Sequence, residues 1–260
     1  MTTRTRATVV SSFTIVPGAL IDETYRLCSN WDFAKSNDEN LHVLLTADYL
    51  GHRSSHWGRD LRNVLRRRFD FNGPDRPVAE LAQRNCALAI WKPILLWHLT
   101  RDEFLLGDFL KNTLFRLHRE GHLAVITTDI IPYLKGLRQP GRSGSGWTDF
   151  TIKRVASALL KLAADFGFLT GTNKKSFVSH QLSDEAFLYL LHALAEQHPN
   201  AKAIIQSEEW RLFLLDADEV ERELLRLHQY RKLHYEVAGS LAQLTLPCDS
   251  ALAFARKMAA

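Results

Sequence analysis

The sequence predicts a mainly α-helical, multi-helical globular protein with one or two short β-hairpins and a winged-helix-like C-terminal half. Three observations carry that expectation. Apolar residues recur at helical spacing through most of the chain, β-prone runs flank tight turns at two places in the second half, and a 46% hydrophobic content over 260 residues suffices for a sizeable core. Two domains are expected, a helical one over residues 1–125 and a winged-helix-like one over 126–260.

The organising stretch is SGWTDFTIKRVASALLKLAADFGFL, residues 145–169. Ile152, Val155, Ala156, Leu159, Leu160 and Ala163 fall on one helical stripe, which turns Arg154, Ser157 and Lys161 outward. Thr148 is the expected N-cap, with Trp147 and Ile152 closing over it as a staple, and Gly167 is the expected stop. FGFLTGTNKKSFVSH then reads as a hairpin with Lys174 and Lys175 near its tip. A capped amphipathic helix with a basic outer face, running into a basic-tipped hairpin, is the layout of a winged helix.

Earlier in the chain, PGALIDETYRLCSNW predicts a helix with Pro17 at its start, and ENLHVLLTADYLG a second helix over Glu39 to Gly51. The acidic pair Asp22 and Glu23 belongs to a first helical turn, where carboxylates meet the positive helix end. HRSSHWGRDLRNVLRRRF, from His52 to Phe69, holds six arginines and one aspartate. Its wheel buries Trp57, Leu61, Val64 and Leu65 and sets Arg59, Arg62 and Arg66 on the other side, a row that suits successive phosphates. Only Asp60 lies near enough in sequence to neutralise them. Arg53 precedes this helix, and Ser54 and Ser55 cap it and can also donate to a phosphate.

A loop over FNGPDRPVAEL re-enters a helix near Val78, which is expected to run, largely buried, until Pro93 breaks it. Helix is expected to follow helix with no strand up to the organising stretch, LAVITTDIIPYLKGL included. Residues 138–146, RQPGRSGSG, are the Pro/Gly/Ser-rich connection, and Arg138 and Arg142 there stand close to the helix start at Thr148, where an anion is also favoured. Downstream, Ser183 and Asp216 are expected N-caps, Glu219 completing a capping box, and LHYEV and LAQLTL form a second hairpin.

Composition narrows the function classes. With 33 Lys plus Arg against 29 Asp plus Glu the formal charge is +4, a mild basic bias that admits a polyanion partner. Cys28, Cys86 and Cys248 are far apart and read as buried thiols in a reducing compartment. CALAIWKPILLWHLT is split by Lys92 and Pro93 and is too short to span a bilayer, so no membrane association is expected. His118 and His122 lack the acid of a zinc motif, and neither a phosphate-cradling loop nor a nucleophile elbow occurs. No catalytic residue, metal or cofactor is assigned.

The ordered segments GALIDETYRL, DENLHVLL, RSSHWGRDLRNVLRRRF, SGWTDFTIKRVASALLKLAADFGFL, EEWRLFLLDADEVERELLRL and LHYEVAGS resemble the BrxA family, a small core component of bacteriophage exclusion (BREX) systems, over residues 13–246. The resemblance implies a non-enzymatic, mainly helical cytoplasmic protein that binds DNA beside a methyltransferase, an ATPase and a phosphatase-like subunit; the DNA is expected to be double-stranded, and a monomer on its own is a separate expectation. The residues themselves assign DNA binding to Arg53, Ser54, Ser55, Arg59, Arg62, Arg66, Arg142, Thr148, Arg154, Lys161, Lys174 and Lys175, through phosphate contacts with little base discrimination. Alternatives are an interaction scaffold, a winged-helix transcription regulator, and an RNA-binding factor like the antitermination protein NusB.

Overall fold

The structure, a computed structural model, describes residues 10–12, 15–46, 55–137, 146–239 and 241–258. The chain is mainly helical with two small antiparallel sheets. The N-terminal helices are α1 (Ile21–Ser29), α2 (Asn37–Thr46), α3 (Ser55–Arg68), α4 (Arg76–Gln83) and α5 (Leu88–Asp102). Next come α6 (Phe104–Asp108), a π-helical turn (Phe109–Leu114) and α7 (Phe115–Arg119). After the strand β1 (Ala124–Val125) follow α8 (Thr127–Gly136), α9 (Asp149–Asp165), β2 (Leu169–Thr170) and β3 (Lys175–Phe177). The chain continues with α10 (Asp184–Ala195), α11 (Ala201–Ile205), a 3-10 turn (Glu208–Phe213), α12 (Ala217–Gln229), β4 (His234–Ala238), β5 (Leu241–Thr245) and α13 (Ala251–Met258).

Two helices form the interior. Trp91, Ile94, Leu95, Leu96, Trp97 and Leu99 of α5 are buried, as is every residue of α10 from Ala186 to Leu194. A helix apolar all round has to be enclosed, and α5 and α10 pack on each other at the centre. The buried side chains make one continuous cluster that runs from Val10 to Ala255. Near the C-terminus, α13 packs on both α4 and α10, and Arg256 clamps Glu80 with two hydrogen bonds of 2.7 and 2.8 Å.

Several expectations need correction. Pro17 does not start α1, because the chain passes through Leu20 in the left-handed region (φ 55°) before the helix begins at Ile21. The buried helix does not break at Pro93, which lies inside α5; the break comes at Asn85, also left-handed (φ 57°), and at extended Ala87. A strand does precede α8: β1 pairs with β3 in the register Ala124 to Ser176 and Val125 to Lys175. Of the three thiols only Cys28 is fully buried, whereas Cys86 and Cys248 are half-buried. The helices α11 and α13 were not anticipated.

The cap, apolar stripe and stop of α9 form as expected. The hydroxyl of Thr148 accepts from the Thr151 amide at 3.2 Å, and the predicted apolar stripe of α9 is buried, with Leu162 added. Gly167 (φ +89°) ends the helix, its amide donating to Ala164 and the next one, Phe168, to Ala163, each at 2.9 Å. Gly171 (φ +106°) turns the chain between β2 and β3. A Cβ there would lie 2.5 Å from the Lys174 carbonyl oxygen, so alanine meets both an unfavourable backbone region and a backbone clash. Gly171→Ala is expected to lower stability by roughly 1–3 kcal/mol in urea unfolding, and no loss would show that the turn has room to shift.

Candidate nucleic-acid interface

Helix α9 presents its polar side to solvent. Lys153, Arg154, Ser157 and Lys161 are exposed, as is Thr148 at the cap, while Asp149 at the start is paired with Lys135 of α8 at 3.0 Å. Among the described residues no carboxylate forms an ion pair with Lys153 or Arg154. The three-stranded sheet, in the order β1-β3-β2, holds the hairpin at the C-terminal end of α9. Lys174 is exposed in its turn; Lys175, half-buried on β3, sends its ammonium back to the Gly171 carbonyl at 2.9 Å.

The arginine row of α3 forms, but not as a free cationic strip. Leu61, Val64 and Leu65 are buried and Arg59 is exposed. Asp38, in the first turn of α2, accepts an ion pair from Arg66 at 3.2 Å, and Arg62 approaches the Asp38 backbone carbonyl at 3.5 Å. The neutralising acid therefore comes from a different helix, not from Asp60 alone. Arg53, Ser54 and Arg142, with Arg138, lie outside the described residues, as do the side chains of Ser55 and Trp57.

The two basic helices meet at the loop before α1. Arg68, the last residue of α3, turns inward and donates to the carbonyls of Gly18 (2.8 Å) and Ala19 (3.2 Å). On the other side of that loop, Lys161 shares a cavity of about 370 Å³ with Lys92, Asp165 and residues 17–23. Burial raises the Asp165 carboxyl above its usual range, and Lys161, Lys175 and Lys92 hold the shift back. Sequence reasoning missed Lys92, Lys153 and Arg68. For Lys153 the signal was present, since it shares the outward arc of Arg154.

A second helix, helix, hairpin unit, α10 to β5, differs in charge. Several of its charges are already engaged: Arg226 pairs with Asp184 and Glu223, Arg211 with Glu208, and Asp216 and Glu219 at the start of α12 take Arg119 of α7. Lys232 adds a 2.6 Å contact to Asp184. These pairs offset much of its charge, whereas Lys153 and Arg154 of α9 have no ion pair among the described residues.

Beneath a cavity of about 350 Å³ between α5, α10 and α13 lies a buried polar chain. His98, 2% exposed, joins Asp75 through Nδ1 (2.7 Å) to the Tyr189 hydroxyl through Nε2 (2.8 Å). Burial lowers the His98 pKa, with the Asp75 hydrogen bond opposing, and burial also lowers those of His180 and His192. The folded state thus favours three neutral imidazoles, whereas the unfolded chain protonates near pH 6.5. Their contribution is complete above about pH 6.5 and is lost as pH falls below it toward the depressed folded values. The midpoint of thermal unfolding is expected to drop between pH 7.5 and 5, and His98→Gln to flatten that slope; a midpoint constant over this range would refute the account.

Among the described residues no group of three or more His, Cys, Asp or Glu is placed to hold a metal ion, and no helix is long and apolar enough to cross a membrane. Gly121 (φ +78°) ends the turn after α7, so His118 and His122 do not share a helix face.

Fold and surface together define a mainly helical protein with two small sheets and a basic, solvent-facing helix in its middle. The chain belongs to the BrxA family, whose pattern it matches over residues 12–194. The crystal structure of an uncharacterized protein from Magnetospirillum magneticum shares the fold, with a TM-score of 0.58 at 16% identity over 82% of this chain and 100% of that one. A comparison with curated proteins found no match.

Proposed function

We propose that the segment from α7 to β3 is a winged helix that binds duplex DNA, mainly through the phosphate backbone, within a BREX phage-defence system. The observation that carries the reading is the cationic outer face of α9 next to a sheet ordered β1-β3-β2, with Lys174 in the hairpin turn. Helix, strand, helix, helix and hairpin is the order of winged-helix proteins, in which the helix before the hairpin enters the major groove. Lysine and arginine on that helix and on the hairpin meet phosphates on either side. In this reading the C-terminal unit starts at α7 rather than at residue 126, since β1 pairs with β3.

Family membership supports the BREX assignment, a cytoplasmic location, and work beside a methyltransferase, an ATPase and a phosphatase-like subunit, with the protein acting without chemistry of its own. The α3 row is the secondary phosphate contact in this reading, because Arg66 must leave Asp38 to serve. An electrophoretic shift with random-sequence duplexes tests the proposal: the full chain alone is expected to retard them, and added salt to release them. No retardation at low salt would leave the interaction scaffold. Retardation confined to one promoter sequence would favour the regulator, and retardation of RNA alone the NusB-like reading.

A further inference from the structure

Phe150 stands on the solvent side of the first turn of α9 and is 76% exposed. It shares its face with Lys153, Arg154 and Ser157, three, four and seven residues on, so one aromatic ring leads a cationic stripe. The acid next to it in sequence, Asp149, is paired with Lys135. A phenyl ring is normally among the most strongly buried side chains, and burying one is favourable by roughly 1.5–3 kcal/mol. Here the surroundings suit a polyanion with an apolar feature at its centre. The edge of a duplex base pair supplies one in the major groove, the C5-methyl of thymine, which apolar side chains contact when a recognition helix enters.

We infer that Phe150 is a base-contacting residue that reads thymine methyl groups. The inference rests on the proposed DNA binding by α9 and goes beyond it, because phosphate contacts from Lys153 and Arg154 carry no sequence information. It departs from the expectation of little base discrimination, because an exposed aromatic ring can read an apolar base group where the helix start holds no Asn, Gln or Arg.

The test compares two duplexes of one length, alternating adenine and thymine in the first and adenine and deoxyuridine in the second, so that they differ only in the C5-methyl groups. Wild type is expected to bind the thymine duplex more tightly by about fourfold per methyl group covered. F150A is expected to bind both alike with the wild-type salt slope, since no charge is lost, and F150L to keep part of the preference. Because the side chain is largely in solvent, circular dichroism should show F150A folded as wild type. Equal binding of both duplexes by wild type, or a preference that survives in F150A, would overturn the inference while leaving phosphate binding in place. Failure of wild type to bind either duplex would overturn it together with the proposed function.

Discussion

Replacing Arg68 by alanine is expected to destabilise the protein by about 3–5 kcal/mol, the cost of breaking a buried charge arrangement from one side. The guanidinium is 1% exposed, donates to the Gly18 and Ala19 carbonyls, and faces the buried carboxylate of Glu103 at 3.9 Å. Burial lowers its pKa to about 10, with Glu103 opposing the shift, so it stays charged at neutral pH. Alanine removes both donors and the facing cation at once, and it also leaves a void at the junction of α3 with the loop before α1. Lysine keeps the charge but not the fork, so Arg68→Lys should fall between alanine and wild type. The double variant Arg68→Met with Glu103→Gln should regain most of the loss, because the desolvated pair is then gone. Urea unfolding measures all four proteins, and a loss below about 1 kcal/mol in Arg68→Ala would contradict the account.

Arg68 also marks where sequence legibility ended. It lies three residues after Leu65 and four after Val64, on the apolar arc of α3 itself, so the wheel alone assigns it to the buried side. Its charge hid it, because burial of an arginine depends on carbonyls and a carboxylate that come from residues 18, 19 and 103. The same holds for Asp38, whose ion pair with Arg66 joins two helices and has no local sequence trace. Information confined to a few neighbouring residues was legible. Thr148, Gly167, Ser183 and the Asp216 to Glu219 capping box all act within one helical turn, and each appears where expected.

Elements too short to show a period were legible only where a turn signal marked them, as Gly171 does for β2 and β3. With two residues, β1 has no alternation to detect and exists because β3 offers it a partner. Pro93 misled because it lies in a long helix that its surroundings enclose, where packing of Trp91, Ile94 and Leu95 outweighs one missing backbone donor. The true break carried a signal of its own, since asparagine tolerates the left-handed conformation found at Asn85. On α9 the outward arc was legible as a basic face, but the exposure of Phe150 was not: a phenylalanine near a helix start is ordinarily taken for core.

Changing Lys153, Arg154, Lys161 and Lys174 together to alanine is expected to lower duplex affinity on the order of a hundredfold at low salt and to reduce the salt slope by about three to four units. Each phosphate neutralised releases condensed counterions, so each lost contact removes about 0.9 from the slope of log affinity against log salt. These four side chains are exposed, and among the described residues none of them forms an ion pair, although Lys161 also acts electrostatically on Asp165. The triple change at Arg59, Arg62 and Arg66 should cost less. Arg66 already spends its charge on Asp38, and Arg62 is half-buried near the Asp38 carbonyl, so part of what DNA would gain there is offset by what the protein loses. Asp38→Asn discriminates further, because it removes the competing carboxylate and should tighten duplex binding in wild type but not in a protein that lacks Arg62 and Arg66. Titrations at several salt concentrations, with circular dichroism to confirm folding, decide between the two rows. If the α9 variant kept the wild-type slope while the α3 variant lost it, the phosphate track would belong to α3, and the winged helix would serve another purpose.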